Sequence, residues 1–174
     1  MQIRRRPAGR KPALLILLAL ALCACTRVGR CAGGVTEVTY HHWTGHVIPP
    51  WSEEYVISGT KVRLTRTGSA EDDINAGAWE FDVDSQDVAR LFEQLEAVKW
   101  ASIRAISPDG PAPDGGGART YQVTCQRNSG GYLSYGEGRT YKNGEAVTAQ
   151  IEAFIADLAL PREAYRYISD INSD

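Results

Sequence analysis

The stretch Trp79–Trp100, WEFDVDSQDVARLFEQLEAVKW, changes its hydrophobic period once and so decides the fold class. Over Trp79-Glu80-Phe81-Asp82-Val83-Asp84, apolar and acidic residues alternate without a fault. Successive strand side chains point to opposite faces, so this segment is predicted to be a strand burying Trp79, Phe81 and Val83. The spacing then changes. Asp84 or Ser85 can cap a helix by accepting first-turn N–H groups, and Asp87 sits favourably near its positive end. Val88, Leu91, Phe92, Leu95 and Val98 follow at helical spacing and form one apolar stripe that closes near Trp100.

The same two patterns recur on either side. Toward the C-terminus, Ser107 to Gly117 is turn-forming sequence with Pro-Asp-Gly twice. Tyr121, Val123 and Cys125 then alternate with polar residues, Asn128 to Gly131 supplies a turn, and Tyr132 to Tyr135 pairs back. After Asn143-Gly144, Val147, Ile151, Phe154, Ile155 and Leu158 mark a second amphipathic helix, which Pro161 ends. Ala164 to Ile168 adds a short turn. Toward the N-terminus, Glu71-Asp72-Asp73 lies in a solvated loop from Gly68 to Gly77. Tyr55 to Thr67 reads as a hairpin turning at Ser58-Gly59. In its second arm Val62 and Leu64 face one side, with Lys61, Arg63 and Thr65 on the other. Val35 to Trp43 (VTEVTYHHW) is a first strand, broken by Ile48-Pro49-Pro50-Trp51 because proline cannot donate to a ladder. One-faced strands alternating with one-striped helices predict an α+β domain. Its expected form is an antiparallel sheet of about five to six strands with two amphipathic helices packed on one face.

Residues 1 to 12 carry Arg4, Arg5, Arg6, Arg10 and Lys11 without an acid, and an uncharged Leu/Ala-rich run from Ala13 to Ala24 follows. A basic region before a short apolar run has the form of a secretory signal and falls short of the roughly 20 residues of a membrane span. Its end, Leu22-Cys23-Ala24-Cys25, resembles the lipobox of bacterial lipoproteins, with Leu three before the Cys and a small residue directly before it. The resemblance implies cleavage before Cys25 and lipidation of its thiol and new amino group. Cys23 is a rival site, disfavoured because Leu22 would stand directly before the cleavage point. An ordinary secretory signal ending in cysteines is the other alternative. Thr26 rather than Asp after the Cys implies, by the same resemblance, an outer membrane anchor facing the periplasm. The expected organisation is a signal peptide 1–24, a lipidated Cys and tether 25–34, a domain 35–168 and a tail 169–174. The layout is also similar to small bacterial envelope lipoproteins with a short tether, hairpins and a closing helix.

Cleavage would remove five of the nineteen Lys and Arg and none of the twenty-one acids, leaving fourteen bases against twenty-one acids. Such an acidic domain is poorly suited to nucleic acid, whose phosphates need clustered cations. Cys31 and Cys125 would be the free thiols left. An oxidising periplasm allows their pairing, the alternative being a buried Cys125 and a Cys31 within the tether.

His41, His42 and His46 are the only histidines. Three imidazoles could form an open metal site, but adjacent strand residues point to opposite faces, and no acid lies between Thr39 and Ser52. Asp109 and Asp114 lack the alternating oxygens of a calcium loop. The chain has no Gly-x-Ser-x-Gly elbow, and no Lys-Ser/Thr follows Gly115-Gly116-Gly117, so neither hydrolase nor P-loop chemistry is indicated. The expectation is a non-enzymatic module without cofactor, binding an envelope protein or polymer through Trp43, Trp51, Tyr132 and Tyr135, since such rings are enriched at interfaces. A metal-binding protein or metal-dependent enzyme using His41, His42 and His46 is the alternative.

Overall fold

A computed structural model describes residues 31–45, 50–107, 117–127, 130–136 and 138–173. Cys23, Cys25, His46, Asp109, Asp114 and the glycine run 115–116 lie outside the described residues. The fold is mixed α+β. Its strands are β1 (Val35–Trp43), β2 (Ser52–Ser58), β3 (Lys61–Thr67), β4 (Gly77–Asp82), β5 (Arg104–Ile106), β6 (Ala118–Cys125), β7 (Gly131–Tyr135) and β8 (Thr140–Lys142). Three α-helices are described, α1 (Ser85–Ala97), α2 (Glu145–Ala156) and the short α3 (Ile168–Ile171).

Six strands form one sheet in the order β4-β3-β2-β1-β6-β7, and β5 pairs with β8 separately. All these pairings are antiparallel. β1 is thus central, hydrogen-bonded to β2 on one side and to β6 on the other. The alternation seen in the sequence is reproduced in burial. On β3, Val62, Leu64 and Arg66 are buried while Lys61, Arg63, Thr65 and Thr67 are exposed. The β2–β3 turn passes through Gly59 at φ 58°, a left-handed conformation that favours glycine.

Register aligns the side chains of one sheet face into three cross-strand rows. The first is Val123, Val38, Ile57, Val62 and Phe81 from β6 to β4, and the second is Leu133, Tyr121, Tyr40, Tyr55, Leu64 and Trp79 from β7 to β4. These rows join one hydrophobic core with Val88, Leu91 and Leu95 of α1 and Val147 and Ile151 of α2. Burying each such aliphatic side chain is worth roughly 1.5–3 kcal/mol. The third row is polar and is described below.

α1 begins where the sequence places it. The Asp84 carboxylate accepts from the Gln86 N–H at 2.7 Å, satisfying a first-turn donor that the helix leaves open. Phe92 and Phe154, each on its helix's apolar stripe, are only partly buried against the core.

Two further segments are fastened to the sheet. Cys31 and Cys125 form a disulfide with Cα atoms 5.5 Å apart. Beside it, the amides of Gln126 and Arg127 donate to the Gly34 and Ala32 carbonyls. Residues 31–34, expected as the end of a free tether, are therefore pinned to the strand that carries Cys125. At the other end of the chain, the segment expected only as a short turn and tail crosses the loop after β3. Ile74 bridges Tyr167, and the Asp73 carboxylate accepts from the Ser169 N–H and hydroxyl at 3.0 and 2.7 Å. Asp73, expected in a solvated acidic loop, anchors this C-terminal segment.

Candidate functional site

The open face of the sheet carries the exposed aromatics. Thr39 pairs with Gln122 and Gln122 with Tyr132, which puts Tyr132 on the face shared by Thr39, His41 and Trp43. Trp43 is 47% and Tyr132 60% exposed. Strand rise and spacing separate them by roughly 16 Å, with Thr120, His41 and Gln122 on the surface between. Glu54 and Val56 of β2, Lys61, Arg63 and Thr65 of β3 and Thr124 of β6 share this face.

The other two aromatics proposed from sequence have partners within the molecule. The Arg166 guanidinium lies 4.4 Å over the Trp51 ring, and the His42 ring meets Trp51 edge-on at 5.1 Å. Tyr135 packs against Tyr121 and Tyr141 at centroid distances of 5.6 and 5.0 Å.

Behind Trp51 runs the third row of the covered face, Tyr135, Arg119, His42, Glu53, Arg66 and Gly77, in continuous register from β7 to β4. Glu53 and Arg66 are 5% and 3% exposed. The Arg66 Nε donates to Glu53 Oε2 at 3.3 Å and the Arg166 Nη2 to Glu53 Oε1 at 2.8 Å. Arg66 Nη1 also reaches the carbonyls of Asn75, Ala164 and Tyr165 at 3.3, 3.1 and 3.2 Å. Its guanidinium lies 5.4 Å over Trp79. A Cβ at Gly77 would come within 2.9 Å of that indole, so glycine leaves the room the ring needs.

A second ionic group adjoins it. Glu152 on α2 accepts from the Tyr121 hydroxyl and from Arg119 Nη1 at 3.2 Å. Burial pushes the Tyr40 hydroxyl up to about 12, and burial followed by the hydrogen bond to Glu152 raises Tyr121 further. His42 is lowered from its ordinary 6.5, first by burial and then by the Arg119 charge. Two guanidinium groups, Arg119 and Arg166, both act against its charged form.

Chemically, this row fastens more than it reacts. Both Glu53 oxygens are taken by guanidinium donors, and Glu152 Oε1 is shared between a tyrosine and an arginine. The Cys125 sulfur is in the disulfide and offers no nucleophile. Among the described residues no group of three or more His, Cys, Asp or Glu could hold a metal. His41 lies on the open face and His42 on the covered face, as strand alternation requires. His46 lies outside the described residues.

Sequence reading missed Glu53, Arg66, Arg119 and Arg166. One signal was available: Glu53 shares the parity of Tyr55 and Ile57, and Arg66 that of Val62 and Leu64, which places a charge at a core position in each strand. Comparison with protein-family models and with curated protein sequences finds no match.

Proposed function

We propose that this chain is a membrane-anchored bacterial envelope lipoprotein acting as a non-enzymatic binding module. Lipid on Cys25 holds it in the outer membrane, with the folded part facing the periplasm and binding an envelope protein or polymer. The address rests on Leu22-Cys23-Ala24-Cys25 after a basic and then apolar N-terminus. The binding role rests on one observation, the open sheet face carrying Trp43 and Tyr132 at 47% and 60% exposure. Large amphipathic rings standing on a rigid, hydrogen-bonded sheet lose little entropy when covered by a partner. In this reading both amphipathic helices cover the opposite face, an arrangement supported by their apolar residues sharing one core with the inward rows of the sheet.

Two measurements test the two halves. Metabolic labelling with a fatty acid should mark the parent and Cys23→Ala but not Cys25→Ala, which should remain uncleaved or soluble. Labelling that survives Cys25→Ala and disappears in Cys23→Ala would move the anchor. For binding, a photo-crosslinking residue at 43 or 132 in living cells should give one shared adduct, protein or glycan, that a probe at exposed Glu93 on α1 does not give. Identical adducts from all three positions, or none from 43 and 132, would sink the open face as the binding surface.

A further inference from the structure

A concave surface lies away from the open sheet face. α1, α2 and the β4–α1 junction enclose a cleft of about 600 Å³. Its apolar lining includes Val83, Leu91, Phe154 and Leu158. Leu91 is buried, whereas the other three are only partly covered by the core. Aromatic and aliphatic carbon is therefore left accessible between two helices.

The rim is predominantly acidic. Asp82, Asp84, Asp87 and Asp157 line the cleft against a single cation, Arg90. Arg90 is already paired with Asp87 at 3.1 Å, Asp84 caps α1, and Asp82 shares Lys61 with Glu80 at the surface. Asp157 is the odd member. It stands at the C-cap of α2, where the helix dipole disfavours negative charge, and no Lys or Arg occupies that last turn. None of the ion pairs among the described residues includes Asp157. Gln150, also on the wall, has a buried Oε1 without a hydrogen-bond partner.

An apolar trough with a predominantly acidic lining calls for an occupant that is apolar along one stripe and cationic beside it. The lining runs from Asp87 to Gln94 on α1 and from Ala149 on α2 to Leu158 just past its end, roughly 10 Å along α1 at helical rise, or about two helical turns. Two turns present i and i+3 or i+4 apolar anchors with basic residues flanking them. A small cation would use the carboxylates and leave the apolar lining uncovered. We propose that this cleft docks a basic amphipathic helical segment of a partner protein, with its apolar side chains on Leu91, Phe154 and Leu158 and its Lys or Arg near Asp82 and Asp157. The inference stands independently of the open sheet face.

The test uses the full chain in nonionic detergent, with a photo-crosslinking residue at Gln94 in the cleft or at Gln122 on the open face. The probes are an 18-residue Leu/Lys amphipathic helix and its Leu/Glu counterpart. Adducts are expected from Gln94 with the Leu/Lys peptide, and neither from Gln122 nor with the Leu/Glu peptide. Asp82→Asn/Asp157→Asn should lower the yield about fivefold, the scale of two rim ion pairs. Ala153→Arg, an exposed change on the cleft wall, should abolish it while leaving the circular dichroism spectrum intact. Equal labelling by both peptides, labelling from Gln122, or indifference to the two Asp→Asn changes would overturn the proposal. So would full displacement by a small alkylammonium ion at the peptide's concentration, which would assign the cleft to small cations.

Discussion

Glu53 holds two guanidinium groups at 3.3 and 2.8 Å, and their burial differs. Arg66 has a side chain 1% exposed, whereas that of Arg166 is 39% exposed. Removing the buried partner leaves a desolvated carboxylate with one remaining cation, takes the Arg66 donor from the Asn75 and Ala164 carbonyls, and leaves the Tyr165 carbonyl only the Asn75 amide. Arg66→Met should therefore cost about 3–5 kcal/mol in urea unfolding, and Arg166→Met clearly less. Equal losses would show that burial does not set the difference. His42 adds a pH dependence. Its folded-state pKa lies below the ordinary 6.5, so it contributes stability above pH 6.5 that is lost as pH falls through the folded value. The surrounding charges are Arg119, Glu53, Arg166 and His41. Urea midpoints of the parent should fall between pH 6.5 and about 5, before most carboxylates titrate. His42→Phe should flatten that interval, and an unchanged slope would assign it elsewhere.

At the scale of elements, the stripe of α1 is not uniform. Leu95 is 0% exposed and Leu91 3%, whereas Phe92 is only partly buried beside the core. Leu95→Ala should cost about 2–5 kcal/mol. Phe92→Ala should cost less despite removing more atoms, because part of its ring already meets water. A larger loss for Phe92→Ala, read from thermal and urea unfolding together, would mean that the ring closes the core from outside. Shape constrains the loop after α1 as well. A Cβ at Gly131 would come within 2.0 Å of the Trp100 indole, so β7 begins with glycine where a tryptophan crosses it.

For the whole molecule, the disulfide spans a sequence separation of 94 residues, nearly the full length of the sheet-forming chain. In the chain-entropy view, closing a loop of that size stabilises by roughly 4–5 kcal/mol. Reduction should lower the urea midpoint accordingly, with tryptophan fluorescence as the readout. A reduced protein with an unchanged midpoint would show that backbone pairing alone holds residues 31–34. The C-terminal segment is fastened by different means, through the Asp73 carboxylate, the Ile74 bridge and the carbonyls bound by Arg66. One covalent tie and one ionic cluster thus secure the first and last segments of the described residues.

Sequence by itself determined what depends on local periodicity. The alternation in β3, β4 and β6, the stripe of α1 and a cap at Asp84 or Ser85 each lie within one short segment, where period 2 or 3.6 is visible. The pleat also sends His41 and His42 apart whatever surrounds them. Tertiary structure decided which strands meet. No local pattern places β1 between β2 and β6, and only that order aligns Arg119, His42, Glu53 and Arg66 into one row. β5 and β8 have three residues each, too few to show a period. The acidic cleft has the same origin: its carboxylates come from a strand end and two helices, and nothing short of packing brings Asp82 and Asp157 to one rim. Charge at a distance in sequence has no periodicity to read, so the polar row and the cleft became visible only when the chain had folded.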